Sequence, residues 1–198
     1  MTPMLDVFIA EQDILPEIAL SRGAGLALTY GFHPSPFGEV IALVAHQGLV
    51  GLGFVDHGER ALALTDMMKR WPKAAFREDG AASASSVARA FDPALWQAEK
   101  PLPILPIGSD FDRLVWKALL KVPFGQTATY SDLAARIGRP KAARSVGAAV
   151  GRNPIAFLVP CHRIIGRSGA LTGYHWGLAR KQSMIDWEKG LIGGSKSV

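Results

Sequence analysis

The 198-residue chain has one cysteine, Cys161. No internal disulfide can form, and a zinc site made of several cysteines is excluded. No apolar run is long enough to cross a bilayer, so no membrane role is expected. The opening stretch "MTPMLDVFIAEQDILPE" carries acids and no base, unlike a secretory signal. A lone working thiol fits a reducing compartment, so a cytoplasmic location is expected. Repeats and low-complexity tracts are missing. Basic residues are scarce before position 111: residues 1–110 hold 8 Lys and Arg against 13 Asp and Glu, a net −5. Residues 111–198 hold 14 against 4, a net +10. Such asymmetry fits a polyanionic partner of the second half, nucleic acid foremost, or a solvated basic face with no partner.

What is present is enough apolar material for a sizeable core, 48% of the chain. Residues 1–23 form a poorly patterned lead. "GLALTYGF", "GEVIALVA" and "GLVGLGFVD" are short apolar runs separated by turn material, and predict an antiparallel meander. Residues 58–71 have helical spacing and stop before Pro72. "REDGAASAS" reads as a loop, and "SVARAFDPALWQ" as a segment with a short helix. The three prolines of "PLPILPIGS" predict an extended edge segment.

The texture changes at Asp110. "DFDRLVWKALLKVPFG" predicts an amphipathic helix with Phe111, Val115, Leu119 and Leu120 on one face. Thr129 and Asp132 form a capping-box pair opening a second helix, which Gly138 ends. Pro140 is placed to open a third. Two helices joined by a turn of about three residues make a helix-turn-helix pattern. One face of the third helix is small: Ala142, Ala143, Ser145, Gly147, Ala148 and Ala149. Two readings fit it, tight helix packing and close approach to a nucleic-acid groove. Lys141, Arg144 and Arg152 supply candidate phosphate contacts or a groove-inserted side chain. Ile155–Val159 predicts a buried strand, residues 166–177 a glycine-rich loop or wing, and residues 178–190 a final helix.

Cys161 stands at the end of that apolar run, between Pro160 and His162. A thiol reacts as its thiolate, which nearby cations favour. Adjacency alone does not pair Cys161 with His162, because neighbours in an extended chain point to opposite faces. Both a reactive thiol and a small core residue remain open on this physics.

"GRNPIAFLVPCHRI", with "SGALTGYHWGLARK" after it and "FDRLVWKALLKVPFGQTATYSDLAARIGRPKAARSV" before it, resembles the O6-alkylguanine-DNA alkyltransferases, also called methylated-DNA–protein-cysteine methyltransferases. The likeness covers about 80 residues and is closest to the guanine-repair part of the bacterial adaptive-response branch. Pro-Cys-His-Arg in that setting is the family's signature. The resemblance implies an α/β fold: a small N-terminal α/β domain with a ribonuclease-H-like layout over 24–109, and a helical domain with helix-turn-helix and wing over 110–198. It implies that Cys161 accepts the alkyl group, and that His162 relays the thiol proton through a water to Glu188. Asn153 would tie the helix-turn-helix to the active-site strand. Tyr130 would help rotate the target nucleotide out, and Arg144 would fill the vacated space. Arg163 would be structural. Lys141, Ala142, Ala143, Ser145 and Arg152 would complete the DNA surface. Ile164, Tyr174, His175, Ala156, Thr172 and Trp176 would line the pocket, with the bulk of Trp176 favouring methyl over larger adducts. The implied partner is duplex DNA containing O6-alkylguanine, bound by a monomer in a minor groove. No cofactor and no metal are implied.

Three rival classes are set against this. A binder without chemistry would lack the cysteine, a thiol hydrolase would turn over, and a transcription regulator would carry long polar side chains on its recognition helix.

Overall fold

The computed structural model describes residues 7–9, 21–97 and 100–194. They form two compact units that meet in sequence at Ser109 and Asp110. The first is built on a six-stranded sheet. The strands are β1 (Val7–Ile9), β2 (Ala27–His33), β3 (Val40–Ala45), β4 (Gly48–Phe54), β5 (Ala75–Glu78) and β6 (Leu102–Ile104), in the spatial order β1-β6-β4-β3-β2-β5. β2, β3 and β4 make the expected antiparallel meander. Val40–Leu43 and Leu49–Val50 are fully buried, as near-continuous apolar strands covered on both faces must be. Helix α1 (Arg60–Met68) is shorter than its predicted span of 58–71 and buries Ala63 and Met67.

Two expectations fail in this unit. Residues 77–85 are not a loop. They complete β5, which runs parallel to β2, and then begin helix α2 (Gly80–Phe91). The Asp79 side chain accepts from the Ala82 amide and caps α2, and Ser83, Val87, Ala90 and Phe91 are buried beneath it. The cap and an alanine-rich composition outweigh the glycine and serines that look loop-like. β6 is not at an edge either, since it pairs in parallel with both β1 and β4. Pro103 lacks an N–H, and the strand is only three residues long.

The second unit holds α3 (Asp110–Leu119), α4 (Tyr130–Arg136), α5 (Ala143–Gly151), α6 (Leu178–Gly194) and a parallel pair, β7 (Ala128–Thr129) with β8 (Ile164–Ile165). The capping box forms as read: the Thr129 hydroxyl accepts from the Asp132 amide, and the Asp132 carboxylate accepts from the Thr129 amide. Gly138 follows α4 at φ +71°, a left-handed position that glycine adopts without strain. Trp116 of α3 donates its indole N–H to the Ala149 carbonyl at 2.9 Å, tying α3 to α5.

Two further corrections fall here. α5 begins at Ala143, not Pro140, so residues 137–142 connect the helices, about twice the predicted turn. Ile155–Val159 is buried as predicted but is not a strand. Phe157 sits at φ +67°, and the segment turns instead of extending.

Sheet and helix approach closely in the first unit. A Cβ at Gly31 of β2 would lie 2.6 Å from the Gly80 Cα of α2 and 2.8 Å from Ser83 Oγ. Gly31→Ala should therefore push α2 off the sheet and destabilise by about 1–3 kcal/mol. Gly190→Ala, with nothing within 4 Å of the added carbon, should stabilise α6 by up to about 1 kcal/mol. Chemical denaturation of both variants checks the pair.

Candidate active site

Pro160 leads into a 3-10 turn, Cys161–Arg163. The turn replaces the extended geometry that would separate consecutive side chains. Cys161 is 8% exposed and His162 is fully buried. Asn153, just past the end of α5, organises the approach. Its Nδ2 donates to the Val159 carbonyl at 2.8 Å and lies 3.1 Å from Cys161 Sγ, while its Oδ1 accepts from the Ile155 amide at 3.0 Å. Together with turn bonds from the Leu158 amide to the Ala156 carbonyl, Val159 to Ile155 and Cys161 to Val159, these bonds pair backbone groups that a sheet ladder would otherwise have paired.

His162 and Glu188, expected to form a relay, meet. His162 Nε2 lies 2.7 Å from Glu188 Oε1. Glu188 also accepts from Arg163 Nε and Nη2, at 3.0 and 2.8 Å, and from the Gly125 amide at 2.8 Å. Burial raises the Glu188 carboxyl, but hydrogen bonds and charge from His162 and Arg163 outweigh it and hold it at about 2. Burial pushes the His162 imidazole below its ordinary value. At neutral pH His162 is therefore uncharged and Glu188 ionised. An ionised carboxylate only accepts, so the imidazole proton sits on Nε2 and Nδ1 carries the lone pair. Nδ1 is buried and has no hydrogen-bond partner among the described residues.

Cys161 opens on a cavity of about 410 Å³ walled by α5, the active-site turn and the 166–177 loop. Tyr130, Gly147, Asn153, Tyr174, His175 and Trp176 are among its lining residues. The Tyr174 hydroxyl is pushed well above its usual range by burial and by the neighbouring Cys161 sulfur, so it remains a protonated donor. Trp176 is nearly buried, with the His175 ring edge-on at 4.5 Å. The expected pocket residues Ala156, Ile164 and Thr172 do not reach the wall. Ala156 and Ile164 are buried in the core, and Thr172 lies exposed in the loop.

α5 has two faces. Val146, Ala149 and Val150 are buried, so Ala149 belongs to the core and not to a small outer face. Lys141, Arg144, Ser145 and Ala148 are exposed, and Ala142 and Ala143 half-exposed. Arg152 is exposed too, but its guanidinium is bound to Asp112 at 2.6 Å and is less available to a phosphate than expected.

Sequence reasoning missed Lys181. It is fully buried, its ammonium donating to the Ile164 carbonyl at 2.5 Å and the Thr172 carbonyl at 2.9 Å. Burial lowers it and the nearby Cys161 raises it. The signal was present: Lys181, Met184, Ile185 and Glu188 share the i, i+3, i+4, i+7 face of α6 and are all buried.

Comparison with known proteins agrees with this geometry. Residues 110–190 match the family model described as 6-O-methylguanine DNA methyltransferase, DNA binding domain. The methylated-DNA–protein-cysteine methyltransferase of Methanosarcina barkeri is 38% identical over 160 residues, covering 81% of this chain and 96% of that one. The Mycobacterium tuberculosis protein of the same name is 56% identical over 82 residues, 41% of this chain and 50% of its own length. The match thus spans about half of that relative. The crystal structure of Mycobacterium tuberculosis OGT in complex with DNA superposes with a TM-score of 0.64 at 35% identity, covering 82% of this chain and 94% of that one. Fold and site define a mixed α/β protein with one thiol set beside a buried histidine–carboxylate pair. The chain belongs to the methylated-DNA–protein-cysteine methyltransferase family.

Glu188 makes folding pH-dependent. Its folded value of about 2 lies below its ordinary 4.5, so its contribution is complete above pH 4.5 and is lost as pH falls from there toward 2. Glu188→Gln should cost about 3 kcal/mol at pH 7, where Arg163 loses its counter-charge. The gap to wild type should narrow steadily on acidification. Denaturation at pH 7, 4 and 3 checks this, and a constant gap would contradict it.

Proposed function

We propose that this chain repairs O6-alkylguanine in duplex DNA by moving the alkyl group irreversibly onto Cys161. The observation that carries this is the placement of the one thiol. Its sulfur lies at the floor of a cavity, 3.1 Å from Asn153 Nδ2, in the same turn as a neutral histidine bonded to an ionised carboxylate.

The Cys161 proton passes through a water to Nδ1 of His162, whose cationic form Glu188 stabilises across the 2.7 Å bond. The sulfur attacks the alkyl carbon, a C–S bond forms, and the bond from carbon to guanine O6 breaks. The electron pair leaves with guanine, which takes up a proton. Tyr174, kept protonated beside the sulfur, is a donor for the departing base. The thioether has no route back to a thiol, so each molecule acts once and needs no cofactor. Trp176 and His175 narrow the cavity, which favours methyl over bulky adducts.

The target atom lies inside the base stack, so the nucleotide must be turned out, at a cost of a few kcal/mol. We read α4, its connection and α5 as a helix-turn-helix whose slim outer face enters the minor groove, with residues 166–177 as the wing. Tyr130 stands beside Gly147 at the cavity, where an extruded base would arrive. The net +10 of residues 111–198 supplies the attraction to phosphate. We assign residues 24–109 to a ribonuclease-H-like domain, supported by a three-strand meander whose first strand pairs in parallel with the strand after α1. We take the protein to act as a cytoplasmic monomer.

The deciding experiment is incubation with a methylguanine oligonucleotide, followed by intact-protein mass measurement. One added methyl group, mapped to Cys161 and absent from Cys161→Ser, is expected. Turnover, or methyl on the serine variant, would overturn the proposal.

A second expectation concerns Arg144, the exposed long side chain on the slim face of α5. Arg144→Ala should lose about tenfold or more in transfer from a paired lesion and much less from a single-stranded one, where no gap needs filling. Arg144→Lys should restore part of the loss, having length and charge without the planar fork. Equal loss on both substrates would make Arg144 an ordinary phosphate contact.

A further inference from the structure

Phe157 breaks a local rule. It carries a bulky side chain at φ +67°, a conformation such residues seldom adopt. It is 3% exposed, so no contact with solvent explains the backbone. Its ring lies parallel to the His162 imidazole, with centroids 5.6 Å apart and planes 9° from coplanar. On another side it meets Trp187 edge-on at 5.8 Å. Trp187 in turn meets Phe124 at 6.1 Å, and the Arg163 guanidinium lies over Phe124 at 5.2 Å. The phenyl ring is thus gripped between the imidazole and an aromatic cluster, and the left-handed backbone is what delivers it there.

Consecutive residues of α6 act on one imidazole from two directions. Glu188 holds Nε2 within the ring plane at 2.7 Å. Trp187 braces the phenyl ring that covers the ring face. One hydrogen bond leaves the imidazole able to tilt, because the torsion that turns a histidine ring is broad. A flat apolar surface against the face removes that freedom. Parallel aromatic planes at this spacing attract and resist rotation.

We propose that Phe157 is a positioning residue of the proton relay, fixing the plane of the His162 imidazole and with it the direction in which Nδ1 points toward Cys161. The proposal rests on the relay described above. A core residue filling space would need no parallel plane, and the fold-back of the chain alone would be met by glycine, which takes this φ without strain. Phe157 does not touch the alkyl group or the guanine in this scheme. It acts through His162.

The test uses Phe157→Gly and Phe157→Leu in the full chain. Glycine takes φ +67° without strain, so the backbone is kept while the ring is removed. Leucine keeps apolar volume without a flat face. The first readout is the proton resonance of the His162 Nε2–H, shifted downfield by its bond to Glu188 and protected from exchange in the wild type. In either variant it should broaden or vanish, with circular dichroism unchanged. The second readout is methyl transfer, which should slow at least about tenfold. Phe157→Tyr, which restores the flat face, should recover the resonance and most of the rate. If glycine prevents folding, leucine decides alone. A folded variant of either kind with a wild-type resonance and rate would overturn the proposal. A wild-type protein that takes no methyl from DNA would sink the repair reading instead, and the resonance would still report on Phe157 and His162.

Discussion

A carboxylate taken out of water must recover its lost hydration from charge and hydrogen bonds, or its burial costs several kcal/mol. Glu188 is 1% exposed, and three residues from two separate pieces of chain supply what water would have given. Arg163 brings a forked positive charge, Gly125 a backbone N–H, and His162 a ring N–H. Gly125 belongs to the loop before β7, and His162 and Arg163 are neighbours in the turn that carries Cys161, far from Gly125 in sequence. The demand of one buried charge therefore joins that loop, that turn and α6. With His162 neutral, the standing positive charge at Glu188 is Arg163. His162 and Arg163 together keep the carboxylate ionised, and the ionised carboxylate in turn decides which imidazole nitrogen carries the proton.

The second constraint acts on the backbone. Residues 155–160 are buried without a sheet ladder, and a buried backbone group left unpaired costs about 1–3 kcal/mol. Asn153 answers with one short side chain that accepts from Ile155 and donates to Val159. It can do so because the chain doubles back at Phe157, whose left-handed conformation costs about 1–2 kcal/mol. The same fold-back brings the Asn153 amide to 3.1 Å from the Cys161 sulfur. The bonds that make an irregular segment tolerable are also those that set the thiol in place, and an ordinary strand would have carried Cys161 elsewhere.

Much of the second unit was legible in the sequence, for local reasons. Thr129, Asp132 and Gly138 are short-range signals that survive any tertiary context, and the boundaries of α4 follow from them. The meander of the first unit was equally plain, because apolar runs separated by turn residues leave few alternatives. Errors came where tertiary packing overrode pattern. A continuous apolar run at 155–159 looks the same as a buried strand or a buried coil, and only the Asn153 clamp distinguishes them. α2 was hidden by small residues, which are needed because β2 and α2 approach so closely at Gly31 and Gly80. Within the site, Cys161, His162, Asn153 and Glu188 were found through the resemblance and lie together. Lys181 and Phe157 were not found. A buried lysine reads as a surface charge, and a left-handed phenylalanine leaves no trace in composition or period.

α5 is where the two halves of the proposed activity become one geometric problem. Its N-terminal, outer residues Arg144, Ser145 and Ala148 face solvent. Gly147, Val150 and Gly151 line the cavity that holds Cys161. Arg144, Gly147, Ala148 and Gly151 are spaced i, i+3, i+4 and i+7, so on the proposed reading the groove-facing surface and the pocket wall adjoin along one side of a single helix. On that reading a nucleotide leaving the stack beside Arg144 would pass along this side of the helix, over Gly147 and Gly151, before meeting Tyr130 and the sulfur. Of the two readings set out for the small residues, the packing one is seen at Ala149, and the groove one belongs to the proposed function. Ala149 lets α5 pack tightly on α3, where Trp116 holds its carbonyl, and the exposed alanines keep the far side slim. On the groove reading bulk added at Gly147 or Gly151 would obstruct the path, which is a physical reason for a helix this poor in side chains to stand beside the thiol.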